Sequence, residues 1–194
     1  MQSIFVGHKI RGAPVSSGRR RLVAGLGAAL AAPLVALPGA ACAMDASRTL
    51  HFLNTHTNEA LEVTYAVAGR YVAPALESVR HFLRDFRNGA THDIDPALLD
   101  QLHRLAAATS TRAPFEVISG YRSPETNAML QRQGHGVATN TLHLQGRAID
   151  IRLADVSLED LRDAALSMRA GGVGYYPSAE SNFVHIDTGR VRAW

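Results

Sequence analysis

Apolar and polar residues alternate in several short stretches of this chain, and the first stretch lies between residues 49 and 68. After a polar turn at 55–59, apolar residues occupy every second position from 61 to 67. A period of two places successive side chains on opposite faces, which is typical of a half-buried β-strand. The pattern therefore predicts a β-hairpin.

Helices are predicted in four later segments, from apolar residues at helical spacing or from capping residues. Three segments follow a residue whose side chain can cap a helix, namely Asp95, Ser123 and Ser157, and proline follows the first two. Proline is favoured at the first helical position because its missing N–H group would have no partner there. The predicted helices span residues 73–87, 96–107, 124–133 and 158–169.

Short strands are predicted between and after these helices, at residues 115–119, 148–153, 173–176 and 183–187. The strands and helices interleave without the regular alternation of a βαβ series. This arrangement indicates an α+β fold rather than a doubly wound parallel sheet.

The N-terminal segment has a different composition from the rest of the chain. Residues 1–21 hold five basic residues and no acidic residue, and residues 22–42 carry no charge. The apolar stretch ends in small residues up to Ala43, the pattern of a signal peptide, and the paired arginines before it are typical of a twin-arginine signal. We therefore expect a signal peptide at 1–43, cleaved after Ala43, and a periplasmic or exported protein.

Two other interpretations of this segment remain open. An uncleaved membrane anchor is the first, although Pro33 and Pro38 would break a helix that spans a bilayer. A lipoprotein acylated at Cys42 is the second, and Gly39 stands where such a signal usually has leucine.

The net charge of the whole chain differs in sign from that of residues 44–194, and this difference matters for the kind of partner that is predicted. The formal net charge is +3 and the pI is near 9.4, values that would suggest a nucleic-acid partner. Residues 44–194, however, hold 15 basic residues against 17 acidic ones, so that their net charge is −2. They also hold no cysteine, which excludes a disulfide framework. We expect no nucleic-acid partner and no transmembrane segment in the mature chain.

The candidate chemistry lies in the second half of the chain. His143 and Asp150 are seven residues apart, and Gly146 between them permits a turn that could bring them together. His185 lies in an alternating strand, where it shares a face with Asp187. Two histidines and one carboxylate are a ligand set that catalytic zinc takes from a protein, with the fourth position left for water. The spacing alone is a weak signal, since it occurs by chance in many chains.

Four motifs in a fixed order strengthen the metal hypothesis. They are Ser119-Gly120-Tyr121-Arg122-Ser123, His143-x-x-Gly146-x-Ala148-x-Asp150, Gly174-Tyr175-Tyr176-Pro177 and Phe183-Val184-His185-x-Asp187. Their order resembles the zinc-dependent D-Ala-D-Ala carboxypeptidase and murein endopeptidase superfamily, and within it the YcbK/MepK-type peptidoglycan endopeptidases. The resemblance extends over nearly all of residues 44–194.

The resemblance implies a small single domain at 44–194, with a central antiparallel sheet flanked by helices and a zinc site on the sheet. It implies one zinc ion per chain, held by His143, Asp150 and His185. The implied substrates are peptidoglycan peptides, whose cross-links or stems would be hydrolysed by a metal-activated water. Arg122 resembles the family arginine that binds a substrate carboxylate or carbonyl oxygen, a task suited to a planar, permanently charged group.

The resemblance does not identify the general base. Relatives in the superfamily often place Glu three residues, or His two residues, before the last zinc ligand, where this chain has Asn182 and Phe183. Asp187 is our candidate for the proton acceptor, and Glu180 is the alternative. A role for Asp187 in fixing the tautomer of a histidine is the competing interpretation.

Alternatives to the murein endopeptidase also remain. One is a D-Ala-D-Ala carboxypeptidase-like hydrolase, another is a zinc hydrolase of a different exported peptide or amide, and a third is a non-catalytic cell-wall-binding module. The sequence determines neither the bond that is cut nor the oligomeric state, for which a monomer is our expectation.

Overall fold

The computed structural model describes residues 47–134 and 137–194, and the predicted signal peptide with its cleavage site after Ala43 lies outside them. The described residues belong to one compact unit. None of their helices combines the length and apolar character needed to cross a bilayer.

Strands and helices alternate irregularly along the described part of the chain, as an α+β fold requires. The strands are β1 (Arg48–Asn54), β2 (Ala60–Val67), β3 (Arg70–Tyr71), β4 (Phe115–Ser119), β5 (Ala148–Arg152), β6 (Gly172–Tyr176), β7 (Phe183–Asp187) and β8 (Arg192–Ala193). The α-helices are α1 (Ala73–Phe82), α2 (Pro96–Thr109), α3 (Pro124–Arg132) and α4 (Leu158–Ser167), and a short 3-10 helix covers Leu142–Gln145. The predicted hairpin corresponds to β1 and β2.

The strands form one sheet in the order β3-β2-β1-β4-β5-β7-β6-β8. Its centre, from β4 to β6, is antiparallel as predicted. The sheet as a whole is mixed, because β1 runs parallel to β4 and β6 runs parallel to β8. The prediction of an antiparallel sheet is therefore wrong for two strand pairs, β1–β4 and β6–β8. Between β1 and β4 the chain passes through β2, β3, α1 and α2. This connection is long enough for β1 and β4 to pair in parallel.

The core forms where α1, α2 and α4 pack against the sheet. The leucines of α2 at 98, 99, 102 and 105 are all fully buried. Each buried leucine contributes about 1.5–3 kcal/mol to stability through the hydrophobic effect. On β5, Ile149 and Ile151 belong to this core, so the alternation of the strand turns Asp150 to the opposite face.

Helix α1 ends at Phe82, five residues before the predicted end at 87. The carbonyl oxygen of Leu83 accepts a hydrogen bond from the N–H of Tyr121 at 2.8 Å. If the helix continued, this oxygen would instead accept from an N–H group of the next helical turn. The two segments approach closely because residue 120 is glycine, and a Cβ there would lie 2.6 Å from the same oxygen. This contact, far away in sequence, sets the end of the helix.

Candidate metal centre

Three polar side chains predicted as metal ligands meet on the sheet. The register of β5 and β7 pairs Asp150 with His185, and the 3-10 helix brings His143 to them. All three residues are buried, and each offers a ligand atom within 4.8 Å of the other two. The arrangement can offer two imidazole nitrogens and a carboxylate oxygen to a single divalent cation.

The 3-10 helix fixes the orientation of His143. The side chain of Thr141 caps its start by accepting the N–H of His143, and Gly146 ends it at φ +62°. A Cβ at residue 146 would collide with the carbonyl oxygen of Asp93. The Nδ1 atom of His143 lies 2.7 Å from the carbonyl oxygen of Gly120, to which it must donate. Its Nε2 atom therefore carries the lone pair and faces the cluster, 3.3 Å from Asp150 Oδ1.

The ring of His185 is held from the other side. Its Nε2 atom lies 3.1 Å from Asp187 Oδ2, and its Nδ1 atom lies 2.9 Å from Asp150 Oδ1. In the neutral ring, Nε2–H donates to Asp187 and Nδ1 presents its lone pair to the cluster. The two histidines thus use different ring nitrogens, and those nitrogens lie 3.2 Å apart.

Asp187 is fully buried on the side of His185 that faces away from His143. Its carboxylate accepts hydrogen bonds from the backbone N–H groups of Gly172 and Gly189, at 3.0 and 2.8 Å, and from the guanidinium of Arg192 at 3.0 and 2.6 Å. With these donors and His185, no oxygen of Asp187 is free to face the cluster. The geometry favours the orienting role of Asp187 over the role of proton acceptor.

The charges of the cluster shift the pKa values of its members. Burial alone would raise the pKa of the Asp150 carboxyl, but its electrostatic and hydrogen-bonding contacts with His143 and His185 outweigh burial and lower the pKa. Burial would likewise lower the pKa of His185, but its bonds to Asp150 and Asp187 raise it to about 9. Without a metal, His185 therefore holds a proton near neutral pH.

Arg122, the predicted substrate-binding residue, lies next to the cluster. It follows β4 and is buried, and its Nη2 atom lies 3.8 Å from Asp150 Oδ2. Its other contacts are long, at 3.5 Å to Asn127 Oδ1 and 3.4 Å to Ser119 Oγ. Among the described residues, nothing accepts a hydrogen bond from its buried Nε atom. The guanidinium keeps hydrogen-bonding capacity for a ligand.

A cleft of about 790 Å³ opens over the cluster. One end, which we call the basic arm, is lined by His56, Arg87 and Arg122. The other end, the aromatic arm, is lined by Tyr176, Phe183 and Trp194. In the basic arm, His56 follows β1 and Arg122 follows β4, and Arg87 lies beside His56 through the Phe86 ring. The aromatic arm lies at β6, β7 and β8, so the strand order places the cluster between the two arms.

The alternative base lies on the wall of the same cleft. Glu180 is exposed on the loop between β6 and β7, beside the aromatic arm. Glu180 and Arg122 thus both line the cleft over the cluster, whereas Asp187 lies behind His185.

Two residues that were not predicted to have a chemical role lie at the site. Arg192 forms the ion pair that neutralises Asp187, and the Trp194 ring lies 5.2 Å from the His185 ring. Both residues lie in or directly after the two-residue strand β8, and their contacts become apparent only when β8 is placed beside β6.

Comparisons with known proteins identify the family of the chain. The family model described as peptidoglycan L,D-endopeptidase MepK (Peptidase_M15_2) matches residues 42–194. The peptidoglycan L,D-endopeptidase MepK of Escherichia coli strain K12 is 44% identical over 179 residues, which cover 92% of this chain and 97% of that protein. The probable peptidoglycan L,D-endopeptidase MepK of Haemophilus influenzae is 42% identical over 162 residues, or 81% and 86% of the two chains.

Among solved structures, the Serratia marcescens L-Ala D-Glu endopeptidase ChiX aligns with 49% of this chain and 80% of its own. Its identity of 16% and TM-score of 0.36 are too low to add to the fold described above. The family model and the close relatives confirm the resemblance predicted from the four motifs. The chain belongs to the peptidoglycan L,D-endopeptidase MepK family of peptidases.

Proposed function

We propose that this protein is a zinc-dependent peptidoglycan endopeptidase that hydrolyses an amide bond in cell-wall peptides. The observation that carries the proposal is the buried cluster of two histidines and one aspartate at the bottom of the cleft. The names of its relatives give the L,D class of bond, and we extend that class to this chain.

The donor set of the cluster fits zinc. Two imidazole nitrogens with free lone pairs and one carboxylate oxygen match the three protein ligands of catalytic zinc sites. In each histidine the other nitrogen is held by Gly120 or Asp187, which is how ligand histidines are usually oriented. When bound there, zinc supplies a Lewis acid and lowers the pKa of a coordinated water to about 7.

The remaining steps need groups of the protein itself. Arg122 can donate to the carbonyl or carboxylate oxygen of a peptide in the cleft, because its buried guanidinium is under-used. Glu180 is our candidate for accepting the proton of the attacking water, since it lines the same cleft as the cluster. Asp187 and Arg192 act as positioning residues that hold the His185 ring.

Export is part of the proposal. Residues 1–43 have the composition of a twin-arginine signal, and peptidoglycan lies outside the cytoplasm. N-terminal sequencing of the exported protein would test whether cleavage follows Ala43.

The decisive experiment uses purified protein and cross-linked muropeptides, with zinc and with a chelator. We expect about one zinc per chain, cleavage within the peptides, and loss of cleavage with the chelator. His143→Ala should lose both zinc and activity, whereas His51→Ala should retain both, because His51 is an exposed residue of β1 away from the cleft. Mass spectrometry of the products identifies the bond.

The same experiment distinguishes the other candidates. Release of a terminal D-Ala alone would indicate a carboxypeptidase-like hydrolase. Binding without cleavage would indicate a wall-binding module, and inertness toward all muropeptides would indicate a different substrate. Activity that survives full removal of the metal would overturn the proposal.

A further inference from the structure

The basic arm of the cleft contains two arginines, and in the described part of the chain no carboxylate forms a hydrogen bond with either guanidinium. Arg122 is at least nine-tenths buried, and its Nε atom has no acceptor among the described residues. Arg87 is exposed on the same cleft, and within residues 47–134 and 137–194 its side chain forms no hydrogen bond to an acidic group. A pair of like charges facing one cavity is unfavourable unless an anion joins them.

The nearby acidic groups are occupied elsewhere. Asp85, two residues before Arg87, is buried and accepts hydrogen bonds from the backbone N–H groups of Ser123 and Arg87. Asp150 is 3.8 Å from Arg122 but belongs to the candidate metal cluster. The basic arm therefore retains positive charge.

The guanidinium of Arg87 is also held in place. Its central carbon lies 4.2 Å from the centroid of the Phe86 ring, and this ring stacks on His56 at 4.0 Å. Partial loss of hydration lowers the pKa of Arg87, with Asp85 opposing this and the charge of Arg122 adding to it. The same neighbourhood lowers the pKa of His56, so that His56 stays neutral and the two arginines supply the charge.

We propose that Arg87 and Arg122 together form a subsite for a free carboxylate of the substrate peptide, on one side of the bond that is cut. Guanidinium groups bind carboxylates through paired, charge-assisted hydrogen bonds. Because the basic and aromatic arms flank the cluster, a peptide lying across it places one flank on each arm. This inference rests on the proposed function and adds a selectivity to it.

The test compares two synthetic muropeptides that differ only at the carboxylate beside the scissile amide, which is free in one and a carboxamide in the other. The wild-type protein should prefer the free acid by at least about tenfold in kcat/KM, the usual scale for one charge-assisted contact. Arg87→Met should reduce this preference about tenfold, and Arg87→Lys should restore part of it. Arg104→Met, an exposed arginine on α2 away from the cleft, is the charge-matched control and should keep the preference.

A second measurement is independent of turnover. Calorimetry should show that the chelator-treated wild-type protein binds the free acid more tightly than the carboxamide. The Arg87→Met variant should lose this preference. Circular dichroism melting verifies that each variant is folded. The proposed subsite is overturned if the wild-type protein binds the acid and the amide with equal affinity. It is also overturned if Arg87→Met weakens the binding of both peptides equally. If neither peptide is cleaved but the acid still binds better, the subsite stands and the proposed function fails.

Discussion

The two ring nitrogens of His185 have different partners, and this division determines what its neighbours can do. Nε2 is bound to Asp187, so the lone pair of the neutral ring is on Nδ1 and faces Asp150. Asp187 in turn needs Arg192 and two backbone N–H groups to be stable as a buried anion. We therefore propose that orientation and proton transfer belong to different carboxylates, Asp187 and Glu180.

Substitution of these two carboxylates should have different effects. In Asp187→Asn, we expect zinc affinity to fall about 10–100-fold, because the partner that orients His185 is weakened. In Glu180→Gln, we expect zinc content to be retained and kcat to fall about 10²–10⁴-fold, the usual contribution of a general base. Metal analysis and steady-state kinetics on muropeptides measure both effects.

Glu62→Gln is a suitable control for both variants, since Glu62 is an exposed carboxylate on β2. Retained zinc affinity in Asp187→Asn together with lost turnover would return Asp187 to the role of base. Full activity in Glu180→Gln would remove Glu180 from the mechanism.

Residue types at the site were predictable, and their pairwise contacts were not. The motifs indicated His143, Asp150, His185 and Arg122 because zinc and carboxylates favour those side chains. The pairing of Asp187 with Arg192 depends on strand β8, which has two residues and no periodicity to recognise.

At the scale of elements, the short 3-10 helix and its terminal glycine carry His143 to the sheet. The sequence predicts a turn at Gly146, and the 3-10 helix before it was not predicted. The cap from Thr141 and the left-handed conformation at Gly146 close a single helical turn. The capped helices α2, α3 and α4 were predicted closely because their signals are local, whereas the end of α1 depends on Tyr121.

Gly146→Ala tests the position of this turn. We expect a loss of about 2–4 kcal/mol in the free energy of unfolding, from the positive φ and from collision with the Asp93 carbonyl oxygen. Zinc affinity should fall as well, because His143 would shift. Urea denaturation and zinc titration measure the two effects.

Gly69→Ala separates backbone strain from collision. Gly69 has φ +77°, and a Cβ there would meet nothing within 4 Å. The Gly69→Ala variant should lose only about 1 kcal/mol in the free energy of unfolding and should keep its zinc affinity. Equal losses in the two variants would show that the contact with Asp93 does not matter.

At the scale of the whole molecule, the sheet is mixed because segments far apart in sequence become neighbours. Local patterns predict that a strand exists but not which strand it pairs with, so the pairing of β1 with β4 was not foreseen. The buried charges of the cluster also act on this scale, since their ionisation is linked to folding.

The metal-free protein should therefore be most stable between about pH 4 and 6.5. The pKa of His185 is raised from 6.5 to about 9, so its contribution is complete below 6.5 and is lost as the pH rises through 9. The pKa values of Asp150 and Asp187 are lowered from 3.8, so their contributions are lost as the pH falls below that value. Urea unfolding of chelator-treated protein at pH 6 and pH 9 should show a decrease of roughly 3 kcal/mol.

Zinc should reverse this trend, because the metal requires the neutral form of His185. The zinc-loaded protein serves as the comparison, and its stability should rise from pH 6 toward neutral pH. A chelated protein that is as stable at pH 9 as at pH 6 would contradict the assignment of the proton to His185.

Trp194 is the only tryptophan in the sequence, and its ring lies 5.2 Å from that of His185. Its Nε1–H donates to the hydroxyl of Tyr176 at 2.6 Å, which holds the indole at the cleft. A protonated imidazole quenches the fluorescence of a neighbouring indole. The molecule therefore carries its own optical reporter, and the emission of this single tryptophan, excited selectively over the tyrosines, can follow the proton on His185 and its displacement by a metal without any added label.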